Sequence, residues 1–140
     1  MTRWLMKSEP DVWSWDDQMA KAPDSEEWDG IRNYQARNNM RKMRIGDRAF
    51  FYHSQTEKAI VGIVEVTAES HPDSTTDDDR WDCVDVRAVK AFPKPVTLAE
   101  CKATEQLNDM VLVNNSRLSV QPVRDYEWEI ICRMGGLKGD

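Results

Sequence analysis

The run Ile60-Val61-Gly62-Ile63-Val64 constrains the fold more than any other stretch of the chain. β-Branched residues pack well on a pleated surface, so this segment, within Ala59 to Val66, reads as a central strand. A glycine inside it points to a bulge or to close approach of the backbone. Further strands are expected at Trp4-Leu5-Met6, closed by Ser8-Glu9-Pro10, and at Arg48 to His53. From Trp81 to Val89, Val84, Val86 and Ala88 alternate with Asp85 and Arg87, the pattern of a half-exposed strand. Phe92-Pro93-Lys94-Pro95 is expected to end it. A last strand, Leu118 to Val123, carries Pro122 and so belongs at an edge or bulge.

Short helices interrupt these strands. Ser14-Trp15-Asp16-Asp17 and Thr97-Leu98-Ala99-Glu100 each place a hydroxyl three residues before a carboxylate, the form of a capping box. Tyr34 to Arg44 contains good helix formers, with Gly46 placed to end it in a left-handed cap. Its apolar positions, Tyr34, Met40 and Met43, are sparse, so most of that helix should face solvent. Met110 to Val113 is a short helical or extended piece. Asp125 reads as the cap of a final helix, Tyr126 to Met134, stopped by Gly135-Gly136. Glu27-Trp28-Asp29-Gly30 is a loop, and the segment from Ser70 to Arg80 reads as a mobile surface loop.

A chain of 140 residues has the size of one domain with one core. The elements do not follow a βαβ rhythm, which argues against a doubly wound parallel sheet. The expected fold is α+β: a small mixed or antiparallel β-barrel flanked by short helices, a single domain over residues 1–140.

The formal net charge of −6 is unfavourable for a polyanion partner. Its distribution is uneven. Arg32, Arg37, Arg41, Lys42, Arg44 and Arg48 lie close together, whereas acids gather before them and again from Asp73 to Asp82. Such a segment makes either a basic face able to contact a few phosphates or simply a solvated helix face. No apolar stretch approaches the ~20 residues that span a bilayer, and the charged start lacks a secretory core. The expected location is the cytoplasm, or the nucleus of a cell that has one.

Catalytic and metal templates are missing. There is no G-x-S-x-G, no P-loop, no dinucleotide fingerprint and no zinc-hydrolase or zinc-deaminase signature. Cys83, Cys101 and Cys132 have no C-x-x-C spacing and read as buried reduced thiols. With His53 and His71 the only histidines, no His-rich metal site is available. Neither a metal, a cofactor nor catalysis is expected.

Base recognition needs aromatic walls and a few convergent polar groups. Trp28 stands in a polar loop, although taken alone it reads as a core residue. Tyr52, His53 and Ser54 close a strand, and Ser116 to Ser119 lead into another. Trp4, Trp13, Trp15, Trp81 and Trp128 read as core or partly buried.

Several of these stretches resemble the EVE domain family of the PUA-like superfamily. They are Trp4 to Pro10, Trp28 to Asn38, Gly46-Asp47 with Phe51 to Ser54, Ile60 to Gly62, and Ser116 to Val123, in the family's order and over nearly the whole chain. The resemblance implies a PUA-like fold, kin to YTH readers of methylated adenine, that binds a modified base flipped into a pocket. Modified cytosine in DNA is the favoured target, ahead of RNA. Carried onto this chain, the pocket would draw on Lys7, Ser8 and Trp28, with Asn33 and Asn38 at its border. Tyr52, His53 and Ser54 would follow from the strand end, and Ser116, Arg117, Leu118 and Ser119 from the late motif. Arg32, Arg37 and Arg41 would meet phosphates. From the sequence itself, a monomer without membrane contact is expected. Two alternatives stay open: an enzyme or sensor for a free modified nucleobase or nucleotide, and a protein-interaction module.

Overall fold

In a computed structural model, which describes residues 2–115 and 117–137, the chain forms one mixed six-stranded sheet. The strands are β1 (Arg3–Ser8), β2 (Glu26–Glu27), β3 (Arg48–His53), β4 (Ala59–Pro72), β5 (Asp82–Thr97) and β6 (Val120–Val123). Their order is β2-β5-β4-β3-β1-β6, with β1 and β3 parallel and the remaining neighbours antiparallel. The helices are α1 (Trp15–Lys21), α2 (Tyr34–Lys42), α3 (Leu98–Ala103), α4 (Val111–Asn114) and α5 (Asp125–Met134).

Strand alternation sends every second residue to the opposite face, and here both faces are covered. Trp4, Met6, Ala49, Phe51, Val64, Val66, Val84 and Val86 meet Trp15, Trp28, Ile31 and the α2 residues Ala36 and Met40. Leu5, Phe50, Tyr52, Ile60 and Ile63 meet Cys101, Leu107, Leu112, Trp128 and Ile131 on the other face. This corrects the expected small barrel. Among the described residues the sheet is open, with β2 and β6 as its ends, and apolar side chains pack outward onto helices on each side instead of filling a closed interior.

Gly62 lies at the expected bulge, and the group that comes close to it is a side chain, not backbone. The β4–β5 register shifts between Ile60 and Gly62, and a Cβ on Gly62 would lie 2.4 Å from the Trp15 ring. That close approach seats α1 on the sheet. Both expected capping boxes are present, at Ser14 with Asp17 and at Thr97 with Glu100. Pro122 does sit on an edge strand, β6.

Other boundaries differ from expectation for local reasons. Phe92 to Pro95 do not end β5, because they bulge between Ala91, paired with Gly62, and Val96, paired with Ile60. The prolines thus occupy positions that owe no ladder hydrogen bond. α2 stops at Lys42, and Gly46 (φ +94) belongs instead to the turn entering β3, donating to the Val66 carbonyl at 2.9 Å. α5 starts at Asp125, capped at Arg124, whose N–H donates to Glu127 Oε1 at 2.8 Å. β4 runs on to Pro72, so the loop shortens to residues 73–81. The buried Asp73 anchors it by accepting from Thr75, Gly30 and Arg32.

Candidate functional site

Where β1 ends at Ser8 the chain turns at once, the N–H groups of Val12 and Trp13 both donating to the Glu9 carbonyl at 2.9 Å. Ser8 Oγ donates to the Trp13 carbonyl at 2.5 Å. Trp13 Nε1 donates to Gln18 Oε1 at 2.8 Å, and the buried Gln18 amide reaches the Val86 carbonyl at 3.3 Å. The Trp13 indole is therefore fixed by α1, which itself is fixed by Gly62.

The loop after β2 supplies a second indole. Trp28 N–H donates to the Val84 carbonyl at 2.7 Å, and its ring stands edge-on to Phe51 with centroids 5.4 Å apart. Gly30 (φ +78) then turns the chain, in a backbone region that favours glycine, and donates to Asp73 Oδ2 at 2.9 Å. These two loops line a cavity of about 480 Å³ with Lys7, Ser8, Val12, Trp13, Trp28 and Asp29 among its walls. That volume lies within the ~300–1,000 Å³ typical of small-ligand sites.

The cavity's polar lining is rich in acceptors. Burial raises the Asp29 carboxyl above its ordinary range, and Asp73, Glu26 and Glu27 push it the same way. Lys7 is the opposing charge; burial lowers its pKa and the neighbouring Lys58 lowers it further. A carboxylate accepts from an exocyclic amine and an ammonium donates to a ring carbonyl or ring nitrogen. Aromatic walls with this acceptor–donor pair can hold a flat heterocycle.

A second cavity, of about 350 Å³, is lined by Lys7, Tyr52, Ser54, Gln55, Lys58, Leu98 and Leu112. Lys7 Nζ lies 5.6 Å from the Tyr52 ring centroid, and burial pushes the Tyr52 hydroxyl up to about 12. With two lysines and hydroxyl donors, its chemistry suits an anion.

The structure distributes the expected site residues over several places. Lys7, Ser8 and Trp28 line the first cavity, while Tyr52 and Ser54, with Lys7, line the second. Alternation along β3 is the reason: Tyr52 points to the α3–α5 side and His53 to the other. His53 Nε2 accepts from the Trp15 N–H at 3.0 Å, and its ring is edge-on to Phe51. Asn33 caps α2 by accepting from Ala36, and Asn38 Oδ1 accepts from Arg37. Leu118 is buried in the core, Arg117 is exposed, and the Ser119 carbonyl accepts from the Lys7 N–H at 2.9 Å. Ser116 lies outside the described residues.

The three arginines expected to meet phosphates are engaged within the protein. Arg32 pairs with Asp73 at 3.0 Å, Arg41 with Asp82 at 2.6 Å, and Arg37 donates to the Arg80 carbonyl at 2.9 Å. Acids remote in sequence thus fold back onto the basic segment.

Trp13 and Asp29 are among the lining residues that sequence reading missed, together with Glu9, Val12, Glu26, Glu27, Gly30 and Ile31. The criterion that marked Trp28, an aromatic in a polar loop, applies equally to Trp13, which lies between Pro10 and the helix cap Ser14.

Comparison with known proteins gives a consistent result. The sequence matches the EVE domain over residues 2–134. It is 35% identical to human thymocyte nuclear protein 1 over 165 aligned positions, covering 95% of this chain and 73% of that protein. A crystal structure of the human protein in complex with 5-methylcytosine-containing DNA is similar at a TM-score of 0.88 and 35% identity, covering 96% of this chain and 98% of that one. A protein of Agrobacterium tumefaciens is similar at a TM-score of 0.98 and 57% identity, covering 100% and 97% of the two chains. The YTH domain of Zygosaccharomyces rouxii MRB1 shares the fold, with a TM-score of 0.58 at 16% identity over 96% and 86% of the two chains.

Proposed function

The chain belongs to the EVE domain family, and from that premise we propose that the cavity walled by Trp13 and Trp28 receives a modified nucleobase, foremost 5-methylcytosine in DNA. The observation that carries this reading is the pair of indoles held on separate loops around one cavity of base-sized volume. The complex of the human relative with 5-methylcytosine-containing DNA is what puts DNA and 5-methylcytosine first in this reading.

In this reading a flipped cytosine stacks on the indoles. Its N4 amine donates to Asp29, and Lys7 donates to its acceptor edge. The 5-methyl group, apolar and in the ring plane, packs against Val12 or Ile31, both of which line the cavity. Extraction from a duplex costs a few kcal/mol, so backbone contacts must contribute. The second cavity, with Lys58, takes a phosphate more readily than Arg32 or Arg41, which must first leave Asp73 or Asp82. The domain acts as a monomeric reader without catalysis, in whichever compartment holds the nucleic acid.

Titration with oligonucleotides carrying cytosine, 5-methylcytosine, 5-hydroxymethylcytosine or N6-methyladenine tests this directly. One modified base should bind best. Trp13→Ala and Trp28→Ala should each weaken it by about 5- to 150-fold, the equivalent of ~1–3 kcal/mol of stacking. Unchanged affinity in both variants, with folding intact by circular dichroism, would falsify the assignment.

A further inference from the structure

Beside the cavity, at the β2 end of the sheet, two carboxylates, an imidazole and a thiol converge. Antiparallel pairing sets Glu27 opposite Asp85, and His71 opposite Cys83. Cys83 and Asp85 are two residues apart on β5, so they share a face. His71 Nε2 lies 2.8 Å from Asp85 Oδ1, and the Cys83 sulfur lies 3.8 Å from both ring nitrogens of His71. One donor atom from each of Glu27, His71, Cys83 and Asp85 lies within 4.8 Å of all the others.

We propose that Glu27, His71, Cys83 and Asp85 form a site for a divalent cation of zinc's chemistry, which shares Glu27 with the wall of the base cavity and does not depend on a base being bound there. Tetrahedral zinc with bonds of ~2.0–2.3 Å keeps its donor atoms roughly 3.3–3.8 Å apart. The sulfur-to-imidazole spacing already matches, and the remaining distances close by rotation about side-chain bonds, with the His71–Asp85 hydrogen bond giving way to two bonds to the metal. Thiolate, imidazole and carboxylate together suit zinc better than magnesium or calcium, which take oxygen alone.

The surrounding carboxylates, Glu27, Asp73, Asp85 and Asp29, attract a cation, which must displace the proton that burial and those charges hold on the Cys83 thiol, pushing its pKa up to about 12. A dication supplies the counter-charge and makes the thiolate accessible, releasing its proton on binding. The approach is open, because the His71 and Asp85 side chains are 32% and 29% exposed while Cys83 forms the floor. Three adjacent strands hold the donors, so little chain need be ordered for binding.

Cobalt(II) provides the test, since its spectrum reports coordination independently of any nucleic acid. Chelator-treated full-length protein titrated with cobalt chloride should develop a thiolate-to-cobalt charge-transfer band and the intense visible bands of a four-coordinate ion, and one equivalent of zinc should abolish both. Cys83→Ser should lose the charge-transfer band. His71→Gln and Asp85→Asn, both at partly exposed positions, should bind cobalt at least tenfold more weakly while keeping the wild-type circular dichroism. Absence of the charge-transfer band in folded wild-type protein would overturn the proposal. So would equal cobalt affinity in wild type, His71→Gln and Asp85→Asn, which would mark the binding as adventitious; the four side chains would then be a hydrogen-bonded patch that steadies the end of the sheet.

Discussion

His53 illustrates how a single side chain positions the cavity without lining it. Its Nε2 accepts the Trp15 N–H at the first turn of α1, so the ring is neutral with its proton on Nδ1. Burial lowers its pKa below the ordinary 6.5, a shift that Glu57 and Asp16 oppose only in part. The neutral form is thus favoured in the folded state, and its contribution is complete above pH 6.5. Below that, the unfolded chain takes up a proton before the folded one does, and stability falls until the folded-state pKa is passed. Melting temperature should therefore decline with acidification over this window in the wild type, and the decline should be smaller in His53→Gln. A His53 titration midpoint above 6.5 by NMR would contradict the argument. Asp73 behaves differently. Its burial alone would raise the pKa, yet hydrogen bonds from Thr75, Gly30 and Arg32 hold it at about 2, so it stays charged throughout this range.

At the scale of elements, α1 is the link between core and cavity. It is seven residues long, too short to persist without tertiary support. The Ser14–Asp17 capping box helps locally, and the tertiary support comes from the Trp15 ring seated over Gly62. Gly62→Ala places a methyl group against a rigid indole, which is itself edge-on to Phe51 at 5.2 Å. The substitution should destabilise the domain by about 1–3 kcal/mol in urea denaturation, the usual range for overpacking. It should also weaken base binding, because Trp13 is held by Gln18 of the same helix. Full stability in Gly62→Ala would mean that α1 can shift freely on the sheet. Much of this was legible in advance: the capping boxes, the central strand and the special position of Gly62 are local patterns. The extension of β5 through Pro93 and Pro95 was not, since only the partner strand reveals that these residues bulge out of the ladder.

Over the whole molecule, charges segregated along the chain are intermixed in space. Asp73 and Asp82 neutralise Arg32 and Arg41, leaving an acidic body with few cations for a polyanion. Only short, local phosphate contact is compatible with that field. The logarithm of the DNA association constant should fall with the logarithm of salt concentration with a slope no steeper than about −3, corresponding to roughly three neutralised phosphates. A much steeper slope would indicate an extended basic interface and would move the contact surface away from the cavity.

The sequence by itself determined the α+β class, the capping boxes at Ser14 and Thr97, and the family. These are set by periodicity, capping chemistry and motif, all readable within a few residues. Only the tertiary structure decided that the sheet stays open between two helical layers, that Tyr52 and His53 serve opposite faces, and that Trp13 joins Trp28 around one cavity. It alone brought Glu27, His71, Cys83 and Asp85 together across three strands. Each of these depends on strand register, which is fixed by how whole faces bury their apolar side chains and not by any residue's neighbours in sequence.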